Sequence, residues 1–283
     1  MRRALAVPAL AALLALTLVA TSYGIATYST VFRRAYLKDG LLTILVIGSD
    51  LGPPHRPANP LRGRADGVHL IAVDTNAKRA TIVDFPRDSM IGGRKVNGHL
   101  AAGGPSRLEG AMEGYTGIPI DFWVLATFRS VENVVDGMGG VDVVVETRMR
   151  DAFSGSDFEP GPQRLAGWQA LTFVRDRKSV PGGDFGRTRN QGSLLRYAHA
   201  QIRRSHADLP ELVRLAGLLA RNTATNIPKT ELVQLAVLAA EIPAANVLQV
   251  PLSGSAGLER GASVVRLAPG GTFDRIRAGQ VGP

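Results

Sequence analysis

Apolar positions along the chain change their spacing several times, and each change marks an element. Behind Arg2 and Arg3 comes an almost uncharged run from Ala4 to about Tyr28. At ~1.5 Å per residue, a helix of that length crosses a hydrocarbon core of ~30 Å. Pro8 falls in its first turns, where a helix tolerates proline best. Arg2, Arg3 and the amino terminus predict a cytoplasmic start and an extracytoplasmic remainder. Arg33, Arg34 and Lys38 nearly balance them on the far flank. A cleaved signal peptide ending near Ala20-Thr21-Ser22 is the competing reading, but the apolar run continues past it through Ile25.

Beyond this segment the spacing shortens. The continuous run Leu41–Ile47, stopped by Gly48-Ser49-Asp50, predicts a buried strand. Two further strands, Val68–Asp74 and Ala80–Phe85, are separated by Thr75-Asn76-Ala77-Lys78, which predicts a hairpin turn. The Pro-, Gly- and Arg-rich stretch Leu51–Arg64 has no apolar period and predicts a loop. Helical spacing follows over Pro105–Tyr115, then a strand over Phe122–Phe128 and a helix over Ser130–Met138. Gly139-Gly140 breaks that helix before a strand at Val141–Val145. Turn-forming residues fill Asp151–Pro162. Helices are predicted over Ala166–Arg175, Thr188–Arg203, Leu209–Arg221 and Lys229–Ala240, with a strand near Val247–Val250 and an unpatterned, flexible tail past Gly254. The alternation predicts an α/β fold, three-layer-like, with a central mixed β-sheet flanked by helices. It divides into an anchor and linker over residues 1–40, a main α/β domain over 41–205 and a C-terminal helical completion with a flexible tail over 206–283.

Composition narrows the chemistry. Among 283 residues there is no cysteine, which excludes disulfides, thiol catalysis and cysteine-bound metals. The formal net charge of +9, carried mostly by arginine, favours an anionic partner. Arginine binds phosphate oxygens bidentately and keeps its proton. No helix-turn-helix or basic recognition helix points to nucleic acid. His55, His69, His99, His199 and His206 have no metal-ligand spacing and read as structural or surface residues.

Polar clusters fall where strands end. Asp50 closes the first strand, Arg64 and Asp66 open the second, and Pro86-Arg87-Asp88 close the third. Adjacent strand ends would bring Asp50, Asp66 and Arg87 to one edge of the sheet. Arg175, Arg177, Asp184, Arg187, Arg189 and Gln191 follow downstream. Two carboxylates with arginines nearby suit a Mg²⁺ site for phosphoryl chemistry. Each element alone has a plainer reading: a strand-end Asp as a turn residue, Arg-x-Arg as a solvated face, Asp184 as a helix start.

Their order resembles the LytR–CpsA–Psr family of cell-wall glycopolymer ligases. The matching pieces include Ile47-Gly48-Ser49-Asp50, Arg64-Ala65-Asp66, Pro86-Arg87-Asp88 and Lys95-Val96-Asn97. They continue with Gly117–Asp121, Gly139–Val143, Val174-Arg175-Asp176-Arg177 and Gly183–Gln191. The resemblance implies that Asp50 and Asp66 bind Mg²⁺ (or Mn²⁺). It implies that Arg87, Arg175, Arg177 and Gln191, helped by Arg64, Arg187 and Arg189, grip the pyrophosphate of a polyprenyl-linked glycopolymer. Phe122, Val124, Phe128, Leu171 and Leu195 would line a pocket for the polyprenyl tail. For those five, ordinary core packing is an equal alternative.

The implied reaction transfers the glycopolymer to peptidoglycan, with the protein anchored in the cell membrane and in contact with its lipid. Asp88 is either the base for the acceptor hydroxyl or, the favoured role, a group that orients Arg87. A lipid-pyrophosphate hydrolase and a non-catalytic polyanion-binding regulator are the alternatives. The chain departs from the family pattern at Gly52, where members usually carry Arg, and at Gly67, where they carry Thr or another polar residue. The segment Ala126–Ser130 replaces an Asp-rich stretch, and Trp168 stands where an acidic residue is common.

Overall fold

The run that predicts the first strand forms β1 (Leu41–Ser49), with Leu42, Leu45 and Ile47 almost wholly buried. The computed structural model describes residues 40–52, 59–205, 207–259 and 261–283. The predicted membrane segment, residues 4–28, lies outside them. Among the described residues no helix is long and apolar enough to cross a membrane.

β2 (Ala65–Asp74) and β3 (Arg79–Phe85) form the predicted hairpin. Asp74 closes its turn by accepting the N–H groups of Asn76 and Ala77 at 2.9 and 2.8 Å. A small β4–β5 pair (Met90–Ile91, Arg94–Lys95) leads into α1 (Val96–Gly103) and α2 (Pro105–Thr116). Next come β6 (Phe122–Ala126) and α3 (Phe128–Gly137). Thr127 caps α3 reciprocally with Ser130, so the strand predicted to reach Phe128 stops two residues earlier.

β7 (Val141–Val145), β8 (Met149–Asp151), β9 (Ser156–Phe158) and β10 (Gly161–Leu165) precede α4 (Gly167–Arg175) and the long α5 (Asp184–Arg204). The chain continues through α6 (Leu209–Asn222), β11 (Ala224–Thr225), α7 (Lys229–Glu241) and β12 (Val247–Pro251). It closes with a β13–β14 hairpin (Ser253–Glu259, Ala262–Ala268) and α8 (Thr272–Arg277). The tail is therefore ordered where its sequence predicts flexibility. Phe273 of α8 stacks on Phe85 at 5.9 Å between ring centroids and meets Tyr115 edge-on at 5.7 Å. Gly261 in the hairpin turn and Gly270 and Gly271 ahead of α8 take positive φ, and two aromatic contacts fix the segment.

The central sheet is mixed, as expected, in the order β11–β6–β1–β2–β3–β12. β1 and β6 are parallel, β3 and β12 are parallel, and the remaining neighbours are antiparallel. Strand alternation then divides the two faces. Leu45, Ile47, Val68 and Leu70 enter a tight core with Leu100, Leu108 and Met112 of α1 and α2. The opposite face presents Val46, Gly48, Gly67 and His69 to an apolar pocket walled by Val131, Leu171, Leu194 and Leu195. A second core behind α3, α4 and α5 takes in β7 and β10, which pair apart from the main sheet.

One buried polar network crosses this packing. His69 and Asp84 are direct cross-strand partners, 3% and 0% exposed, joined Nδ1 to Oδ1 at 2.8 Å. Gln249 of β12 donates to Asp84 Oδ2 at 2.6 Å and accepts from Ser193 of α5 at 3.0 Å. Gly192 makes the approach of α5 possible, because a Cβ there would stand 2.1 Å from Asp84 Oδ1. The network thus fixes α5 against β2, β3 and β12. Removing His69 takes one hydrogen-bond partner from buried Asp84, which keeps Gln249, at a cost of about 1–3 kcal/mol. His69→Leu is expected to lower unfolding stability by about that much in urea titration. A loss below about 1 kcal/mol would mean the pair carries no such strain.

Candidate active site

Sheet topology gathers the strand-end residues. In an antiparallel β1–β2–β3 run flanked by a parallel β6, the ends of β1, β3 and β6 and the start of β2 share one edge. The C-terminal end of α4 and the first turns of α5 border the same place. A cleft of about 450 Å³ results, lined by Asp50, Arg64, Asp66, Arg87, Arg175, Arg177, Arg187 and Gln191, with Phe128, Phe153 and Val174. Ligands of open α/β sheets bind at such carboxyl ends.

Local contacts set the side chains. A register shift between Gly48 and Ser49 ends regular β1–β2 pairing. The backbones of Asp50 and Arg64 stay joined at 3.0 Å, and Asp50 Oδ1 accepts the Arg64 N–H at 2.7 Å. Arg87 Nη1 donates to Asp66 Oδ1 at 2.8 Å, both side chains about a fifth exposed. Arg187 pairs with Asp184 one helical turn away. The Arg175 guanidinium lies 4.7 Å from the centroid of the Phe128 ring. Gln191 Nε2 reaches the carbonyl of Val174 at 3.2 Å and, more weakly, that of Asp66 at 3.4 Å. Gly67 leaves room for it, since a Cβ there would sit 3.3 Å from Gln191 Oε1.

Positive charge outweighs negative on this wall, five arginines to two aspartates. Burial pulls the Arg187 guanidinium below its ordinary range; Asp184 opposes this, while Arg87 and Arg177 add to it. Burial acts the same way on Arg87, but Asp66, Asp184 and Asp88 together outweigh it and hold that guanidinium above the ordinary value. The Nε atoms of Arg87 and Arg187 and the Oε1 atom of Gln191 are buried without a hydrogen-bond partner. A buried polar atom left unsatisfied costs about 1–3 kcal/mol.

The donor set also suits a hard cation. It offers two carboxylates and no thiolate. Among the described residues there is no group of three or more His, Asp and Glu side chains able to hold a metal unaided. Mg²⁺ would complete its shell with phosphate oxygens and water.

Other predicted residues lie elsewhere. Arg189 does not face the cleft: two residues along a helix turn a side chain by roughly 200°, and its Nη2 lies 3.6 Å from Glu146 Oε2. Asp88 is neither on the cleft wall nor bonded to Arg87. It pairs with Lys95 at 3.2 Å, while Asp66 holds Arg87. The apolar pocket beside the cleft, about 130 Å³, is lined by Phe128, Leu171 and Leu195 as expected. Phe122 and Val124 lie outside its wall. They share its face of the sheet, but β6 enters it only at Ala126, and each residue back adds ~3.3 Å. Phe153 and Val174 on the cleft and His69 on the pocket went unpredicted. A lone Phe among turn residues and a lone His within an apolar strand carry no spacing signal.

Comparison with known proteins now decides the family. The model of the LytR_cpsA_psr family matches residues 21–270. The chain belongs to that family. Curated relatives include the polyisoprenyl-teichoic acid–peptidoglycan teichoic acid transferase TagU of Bacillus licheniformis. It is 32% identical over 140 residues, covering 47% of this chain and 45% of that protein. TagV of Bacillus subtilis, of the same description, is 30% identical over 185 residues, covering 60% and 46%. The chain thus spans about half the length of these curated relatives. The crystal structure of B. subtilis TagV matches with a TM-score of 0.71 at 23% identity, covering 85% of this chain and 95% of that one. A structure described as TagT bound to LI-WTA matches at 0.66 and 19% identity, covering 86% and 90%. At these identities the structures speak for the fold.

Arg187→Ala is expected to weaken binding of inorganic pyrophosphate about tenfold or more, the worth of one charge-assisted hydrogen bond. Arg189→Ala should change it less than about twofold, because its guanidinium faces Glu146. Titration calorimetry on both variants checks this, and equal losses would contradict the placement.

Proposed function

We propose that this chain is a membrane-anchored, extracytoplasmic phosphotransferase that moves a glycopolymer from a polyprenyl-pyrophosphate carrier onto peptidoglycan. One observation carries the reading: an arginine-lined cleft and an apolar pocket that share a wall. Asp66, Phe128, Val174, Arg175 and Gln191 border both. A ligand that is anionic at one end and hydrocarbon at the other is the chemistry such a pair of cavities accepts. The transferase descriptions of the relatives and the family match support the same class of substrate. The uncharged run over residues 4–28 supports the anchor.

The reaction joins an acceptor hydroxyl oxygen of peptidoglycan to the phosphorus nearest the sugar. The bond from that phosphorus to the bridging oxygen breaks, polyprenyl phosphate departs with the electron pair, and the hydroxyl proton passes to solvent. Arg87 and Arg187 line the cleft, and their guanidinium groups stand where charge on the pyrophosphate oxygens needs donors. Arg175, stacked on Phe128, sits at the junction of the two cavities, where the first phosphate after the hydrocarbon would lie. Gln191, braced by two backbone carbonyls, fixes the floor between them. Leu171, Leu195 and Phe128 exclude water from the hydrocarbon side. Asp50 and Asp66 would hold Mg²⁺, which neutralises phosphate charge and polarises the phosphorus when bound.

The test uses the full chain in detergent, a polyprenyl-pyrophosphate-linked glycan and peptidoglycan fragments. Transfer is expected to stop with EDTA and return with Mg²⁺. Asp66→Ala and Arg87→Ala should each lower it about a hundredfold or more. Cleavage of the carrier with no product on peptidoglycan would replace this reading with a hydrolase. Transfer indifferent to EDTA and to both substitutions would place the chemistry elsewhere.

A further inference from the structure

Phe153 is the anomalous side chain of the cleft. It is 71% exposed, yet it borders the same space as Arg87, Arg177 and Arg187. Val174, another apolar residue on that wall, is only 7% exposed. A large aromatic face left open to water is unfavourable unless a ligand covers it.

The ring is not open because its turn is slack. Phe153 lies in the turn between β8 and β9, whose strands pair from Met149–Phe158 to Asp151–Ser156. Asp151, itself buried, accepts the N–H of Phe153 at 3.0 Å and that of Ser154 at 3.2 Å. Ser154 Oγ donates to Ser156 Oγ at 3.1 Å, and Ser156 Oγ donates to Asp176 Oδ2 at 2.6 Å. Asp176, fully buried, also accepts the N–H groups of Lys178 and Ser179 at 3.0 and 3.1 Å. One chain of hydrogen bonds therefore joins the Phe153 turn to the segment that presents Arg175 and Arg177. Lys178 adds its ammonium 5.3 Å from the centroid of the Phe153 ring and 4.0 Å from the Asp151 carboxylate.

Direction decides what covers the ring. Phe153, like Asp50, Arg64, Arg87, Arg177 and Arg187, borders the polar cleft and not the apolar pocket, whereas Arg175 and Phe128 border both. A carrier with its hydrocarbon in the pocket and its pyrophosphate on the arginines sends its remaining substituent toward Phe153. A pyranose ring has one face of C–H groups and a rim of hydroxyls. An exposed aromatic ring with an ammonium over it, a donor with no acceptor character, matches both features. We propose that Phe153, with Lys178, is the stacking platform for the first sugar on the pyrophosphate. This rests on the pyrophosphate reading of the cleft given above.

The test uses the full chain in detergent with two probes: farnesyl pyrophosphate, and the same lipid pyrophosphate carrying one N-acetylglucosamine. Phe153→Ala is expected to weaken the sugar-bearing probe about tenfold and leave the bare one unchanged. Phe153→Tyr, which keeps the ring, should restore it. Because Phe153 is exposed, unchanged binding of the bare probe also reports an intact fold. A Phe153→Ala variant that loses neither probe, or both equally, overturns the sugar platform while the pyrophosphate reading stands. Wild-type protein that binds neither probe overturns the pyrophosphate reading, and the platform with it.

Discussion

The structure is organised around a repulsion that the fold tolerates in one place. Five guanidinium groups line a cleft that also holds two aspartates, and two of their Nε donors are buried without acceptors. Asp66 and Asp184 offset part of this by pairing with Arg87 and Arg187. The rest remains, seen in the lowered affinity of Arg187 for its proton under burial and the influence of Arg87 and Arg177. An interior arranged for stability alone would not gather like charges this way. A site preorganised for a polyanion would, because the ligand arrives to donors already in place and needs no reorganisation.

Everything around the cleft serves to hold that arrangement. The antiparallel hairpin aligns Asp50, Asp66 and Arg87 at one sheet edge, and α5 brings Arg187 and Gln191 over it. α5 is itself held by the buried His69–Asp84–Gln249–Ser193 network, with Gly192 allowing the close approach. The same sheet face, a few residues along, opens into the apolar pocket. The arginine-lined cleft and the apolar pocket are thus two stretches of one surface, sharing Asp66, Phe128, Val174, Arg175 and Gln191.

Much of this was legible in the sequence because it is local. Strand runs ending in charged residues place Asp50, Asp66 and Arg87 without knowledge of the rest, since antiparallel neighbours must share ends. Less was legible where rotation about an element decides. Arg187 and Arg189 look alike in sequence, yet the turn of α5 sends one into the cleft and the other to Glu146. Phe122, Val124 and Phe128 read as one lining, but only the last stands at the pocket, because the others lie further back along β6. Least legible were pairings between distant segments. Nothing near His69 announces Asp84, and nothing near Phe153 announces Asp176. The carboxy-terminal tail reads as unpatterned because Phe273 is fixed by Phe85 and Tyr115, both far back in the chain.

The most direct test of the central claim is a crystal structure of the protein with a polyprenyl pyrophosphate and Mg²⁺ bound. Pyrophosphate oxygens are expected within hydrogen-bonding distance of the guanidinium groups of Arg87 and Arg187, with the hydrocarbon against Phe128, Leu171 and Leu195. Pyrophosphate bound elsewhere, with no oxygen on either guanidinium, would contradict the account.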